Sequence, residues 1–91
     1  MEIERDRAKS AQHLAKLALS GEGSGSAAAA RLLLSLQFNE PFNLQDLIRL
    51  DSVNRAHAET VILGIEPSDI WPAAWFENGS DILNQIKAEW S

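Results

Sequence analysis

The run Ala27-Ala28-Ala29-Ala30-Arg31-Leu32-Leu33-Leu34-Ser35-Leu36 constrains this chain more than any other stretch. Alanine and leucine head the scale of helix propensity. Ala29, Leu32, Leu33 and Leu36 fall at i, i+3, i+4 and i+7, the spacing of one helical face. Leu34 lies off that face, so this helix should be buried on more than one side. The reading is a central helix over Ala27–Phe38 with Ser26 as its N-cap.

The rest of the chain follows the same period. Ala11, Leu14, Ala15 and Ala18 form one face of a helix from about Glu2 to Ser20, with residues 1–8 expected to fray. Gly21 stands where a glycine would end that helix. Residues 21–26, Gly-Glu-Gly-Ser-Gly-Ser, have the composition of a flexible connector. Asn39-Glu40-Pro41 interrupts the central helix. Phe42-Asn43-Leu44-Gln45-Asp46-Leu47 starts another, with Asn43 as N-cap, Asp46 as the acidic partner of a capping box, and Phe42 with Leu47 as a hydrophobic staple. Leu44, Leu47 and Ile48 would share its face.

Asp51-Ser52 caps a helix reaching Leu63, in which Val53, Ala56 and Thr60 make a row with Ala58, Val61 and Ile62 nearby, and Gly64 ends it. Pro72 suits the first position of a short helix. Ser80 caps a last one, with Ile82, Leu83, Ile86 and Trp90 on its apolar face. No stretch alternates as a strand would. The expected fold class is all-α: a single domain over residues 1–91, a compact bundle of five to six short helices with no sheet.

A chain of 91 residues buries only about 60% of its unfolded surface, so a homodimer or a bound partner would add needed burial. Cysteine is absent, which excludes disulfides, thiolate chemistry and Cys-ligated zinc. No run is long and apolar enough to span a membrane, and the charged first residues do not read as a signal peptide, so the cytoplasm is the expected location. The net charge of −5 lies wholly in residues 51–91, where Arg55 and Lys87 oppose seven carboxylates. Such a surface repels phosphate backbones, so direct nucleic-acid binding is not expected; a basic protein surface suits it better.

Chemistry has little to stand on. His13 and His57 have no His, Asp or Glu at i+4, so no helical metal pair exists and both read as ordinary helix histidines, with a cross-fold His–His site left open. The glycine-rich stretch lacks the Lys-Ser/Thr of a phosphate loop and follows a helix. No catalytic, cofactor-binding or metal-binding residue is assigned, and no cofactor is expected. Three of the six aromatics, Trp71, Trp75 and Phe76, fall within six residues. Carboxylates at Glu66, Asp69, Glu77 and Asp81 flank them. Aromatics anchor small cores and also binding hot spots. The candidate partner-binding set is therefore Glu66, Asp69, Trp71, Trp75, Glu77 and Asp81.

The segments Ala30-Arg31-Leu32-Leu33-Leu34-Ser35-Leu36, Phe42-Asn43-Leu44-Gln45-Asp46-Leu47 and Leu50-Asp51 resemble a family of small uncharacterised helical proteins of proteobacteria and their phages and mobile elements. Members carry a Leu-Leu helix after a Thr-Gly turn, then Phe-Asp-Leu-x-Asp-Leu, an aspartate, and a late tryptophan, to which Trp90 would correspond. This chain departs at the turn, with Gly23-Ser24-Gly25-Ser26 in its place. The resemblance spans roughly residues 11–91 and implies a helical fold in a bacterial or phage setting, with no activity.

The expected function is thus a non-catalytic, acidic interaction module, with an inhibitor of a host defence complex, anti-CRISPR-like, as its concrete form. The alternative is a helix-turn-helix-like DNA-binding regulator using residues 44–63, with Asn54, Arg55 and His57 at the bases.

Overall fold

The computed structural model describes residues 2–21, 23–65 and 71–90, with the side chains of residues 2–6 and 24 outside the description. Four α-helices form: α1 (Glu2–Ser20), α2 (Gly23–Phe38), α3 (Ser52–Leu63) and α4 (Gly79–Trp90). Two 3-10 helices, Leu44–Arg49 and Pro72–Ala74, join them, and no strand occurs among the described residues. The all-α expectation holds. α2 is the central element and packs against every other one. Ala28, Ala29, Ala30, Leu32, Leu33 and Leu34 are all buried, so the off-face Leu34 reported an encircled helix correctly. Ala11, Leu14, Ala15 and Ala18 of α1 are buried as their spacing required.

Several local expectations need correction. Most of residues 21–26 is helix, because α2 begins at Gly23. Only Gly21, in the left-handed conformation at φ 69, and residue 22 separate it from α1. Ser26 is no N-cap: it is fully buried inside the helix, with its hydroxyl 3.0 Å from that of Ser20. Serine small enough to sit at a helix–helix seam, with a hydroxyl to satisfy it there, makes that stretch part of the core. At the other end of α1, fraying does not extend to Arg7, which is 3% exposed and donates to the Gly64 carbonyl at 2.8 Å.

The segment after Pro41 forms a 3-10 helix. Asn43 caps it, accepting from the Gln45 N–H at 2.9 Å. With three residues per turn, Leu44, Leu47 and Leu50 fall in one row and Ile48 turns away, so Leu44 and Ile48 cannot share a face as an i,i+4 pair would. Leu50 and Asp46 are buried while Leu44 and Ile48 are exposed, so the expected Leu44–Leu47–Ile48 face does not form. Asp46 does not act in a capping box; it lies between Arg31 and Arg49.

α4 starts at Gly79, not after a Ser80 cap. Asn78, at φ 60, precedes it, and its carbonyl accepts from Ile82. Glycine is required at 79, because a Cβ there would come within 2.1 Å of the Ala73 carbonyl oxygen. Trp90 anchors the far end of α4 by donating its indole N–H to the Ala18 carbonyl at 3.0 Å.

Candidate functional site

α1 and α3 meet through polar groups. Ser10 and His13 lie three residues apart on α1, and Asn54 and His57 three apart on α3, so each pair shares a helix face. The Ser10 hydroxyl is 2.9 Å from His57 Nδ1, and His13 Nε2 is 2.7 Å from Asn54 Oδ1. The two imidazoles stack between these contacts, centroids 4.1 Å apart and planes 26° from parallel. Asp51 completes the chain. It caps α3 by accepting from the Asn54 N–H at 2.8 Å and accepts from the Asn54 side chain at 3.3 Å. With its amide donating to Asp51, Asn54 presents oxygen to His13, which fixes a proton on His13 Nε2.

Burial, and then the neighbouring His13, push the His57 imidazole below the ordinary histidine value. A serine beside a neutral imidazole is an ingredient of nucleophilic catalysis. Here Ser10 sits in mid-helix, where backbone N–H groups are committed to the helix and cannot serve an oxyanion. The arrangement clasps two helices. His13 is exposed and His57 half-buried, as expected of ordinary helix histidines, and the two meet across the fold as a stacked pair. The signal in the sequence was the matched polar i,i+3 pairs, Ser10–His13 and Asn54–His57.

With this clasp formed, α3 is turned so that Ala58 and Val61, and not the Val53–Ala56–Thr60 row, are buried. Ala58 and Val61 point inward with the Asn54–His57 row. Val53 and Ala56 point out. The outward stripe runs Val53, Thr60, Ala56, Leu63 around the helix, all within about a quarter of its circumference, with Thr60 half-buried. Val53 is 63% exposed and Leu63 85%, and on the preceding 3-10 helix Leu44 is 71% and Ile48 74% exposed. A surface hollow of about 460 Å³ opens beside Val53, lined also by Lys16, Leu17 and Asp51. Of the three residues that a helix-turn-helix would aim at bases, Asn54 and His57 are turned to α1, and only Arg55 is exposed.

The sequence-derived set separates. Trp71 is 50% exposed, and Glu77 and Asp81 are exposed near the start of α4. Trp75 is half-buried against the core, with the Arg7 guanidinium 4.5 Å above its ring, so it anchors packing. Glu66 and Asp69 lie outside the described residues.

Among the described residues, no helix is long and apolar enough to cross a membrane. Nor does any group of three or more His, Asp or Glu gather there to hold a metal ion. No curated protein and no solved structure matches the chain. The model of one family matches residues 8–91, nearly the whole length, and the chain therefore belongs to DUF7673, a family of unknown function.

Proposed function

We propose that this protein is a non-catalytic interaction module that works by occupying the surface of a protein partner. One observation carries the reading: the outward apolar stripe of α3, together with exposed Leu44 and Ile48 on the preceding 3-10 helix. Covering one such side chain is worth about 1.5–3 kcal/mol, which a partner would recover on docking. Exposed Asp51 and Glu59 on α3, and Glu77 and Asp81 near α4, favour a basic partner. The finer form is a protein of proteobacteria or their phages that blocks the basic groove of a host defence complex in the cytoplasm, in the manner of an anti-CRISPR. Its support is net acidity confined to residues 51–91 and apolar side chains left uncovered.

Affinity capture from bacterial lysate at low salt, read by mass spectrometry, tests this. Wild type should retain a partner, and a Val53→Gln, Leu63→Gln, Ile48→Gln variant should lose it at least about tenfold, the loss expected from two such contacts or fewer. Glu77→Lys with Asp81→Lys should lower both affinity and its salt dependence. Recovery of nothing by wild type, or equal recovery by the apolar-stripped variant, overturns the proposal. A homodimer would show instead as a concentration-dependent mass abolished by the same glutamines.

A further inference from the structure

On another part of the molecule, two arginines from different elements converge on one buried carboxylate. Arg31 belongs to α2 and Arg49 to the first 3-10 helix. Each guanidinium lies 3.5 Å from the same oxygen, Oδ1 of Asp46. The Asp46 side chain is 6% exposed, and both arginine side chains are half exposed. At 3.5 Å these are charge contacts longer than good hydrogen bonds, so each planar fork keeps donors to offer. Asp46 thus holds two cations side by side while cancelling one of them, and the cluster carries a net charge of +1.

The two forks edge a surface hollow of about 450 Å³, within the size range of small-ligand sites. Pro41, Phe42 and Asn43 line the rest of it with Asp46. Asn43 accepts from the Gln45 N–H through its side-chain oxygen, which leaves its amide hydrogens as donors. Phe42 packs against the core and is therefore a fixed wall. The hollow combines paired guanidinium donors, an amide donor and an apolar wall.

We infer that the hollow bounded by Arg31, Arg49, Asn43 and Phe42 is a binding site for a carboxylate carried on an apolar stem. A singly charged carboxylate balances the +1 cluster, whereas a phosphate dianion would leave a surplus charge beside buried Asp46. Planar two-pronged hydrogen bonding between guanidinium and carboxylate matches the geometry of both groups. Phe42 and Pro41 take the stem. The inference is independent of the α3 surface.

The test is a titration of the whole ¹⁵N-labelled chain with 3-phenylpropionate, following the amides of Phe42, Asn43, Asp46 and Arg49 and the arginine Nε–H signals. Saturable shifts confined to these groups are expected, with acetate and 3-phenylpropanamide each at least tenfold weaker. Arg31→Gln and Arg49→Gln should each weaken binding at least tenfold, and far-UV circular dichroism checks that they fold. Arg31→Lys and Arg49→Lys, which keep the charge and lose the fork, should weaken it several-fold and stand in if a glutamine variant unfolds. A short peptide ending in phenylalanine separates two sources of the carboxylate. Tighter binding than 3-phenylpropionate assigns a chain end, and equal or weaker binding assigns a free acid. Absence of saturation by ~10 mM, binding of the amide as strong as the acid, or tighter binding of inorganic phosphate would overturn the inference.

Discussion

The two sides of α1 are built on different chemistry. Toward α2, the bundle concentrates small and branched apolar residues: Ala11, Leu14, Ala15 and Ala18 on α1, and Ala28 to Ala30 with Leu33 on α2, all buried. Toward α3, which buries Ala58 and Val61, a polar clasp of Ser10, His13, Asn54 and His57 is added. The first region gains from excluding water and is insensitive to pH. The second gains orientation, because hydrogen bonds and a ring stack are satisfied at only one rotation of α3. That rotation leaves Val53 and Leu63 exposed.

The largest effect should come from the apolar side. Leu33→Ala is expected to cost about 3 kcal/mol through lost burial and a residual cavity, measured by urea unfolding. A loss below ~1 kcal/mol would mean that this region does not dominate stability. Ser10→Ala should cost about 1 kcal/mol, since His57 Nδ1 loses its partner in a part-buried place. A cost as large as that of Leu33→Ala would erase the contrast between the two regions.

The third prediction concerns pH and only the α3 side. His57 is held below its ordinary value near 6.5 in the folded chain, so the unfolded chain binds more protons as acid is added. The stabilising contribution of neutral His57 is full above about pH 6.5 and is lost as pH falls through the lower folded value. A His57→Gln variant should show a flatter stability profile below pH 6.5 than wild type, and identical profiles would remove His57 as the cause. The smallest effect on stability belongs to the outward stripe. Leu63→Gln should change unfolding free energy by no more than about 0.5 kcal/mol. A larger loss would show that Leu63 is packed in solution against something other than water.

Periodicity made the apolar side legible. Ala11, Leu14, Ala15 and Ala18, and the encircled Leu34, were buried where spacing placed them. On α3 the apolar residues divide: Ala58 and Val61, beside the Val53–Ala56–Thr60 row, are buried, whereas Val53 and Ala56 of the row itself are exposed. The inward side also holds half-buried Asn54 and His57, which meet His13 and Ser10 across the seam. Composition misled at residues 21–26 for a related reason. Glycine and serine look like a connector in isolation, yet Ser26 is core once Ser20 faces its hydroxyl. Asp46 read as a capping residue because its neighbours in sequence allow that, whereas Arg31, fifteen positions away, takes part in deciding its place.

The sequence by itself determined that this chain is helical, roughly where its helices begin and end, and which of them lies at the centre. These follow from propensity, breakers and apolar spacing, which act over a few residues. Tertiary structure alone decided the rotation of α3, the meeting of His13 with His57, and the pairing of Arg31 and Arg49 over Asp46. Each is a contact between groups distant in the chain, and a polar group is content in water or against any suitable partner, so only the packed fold selects among them.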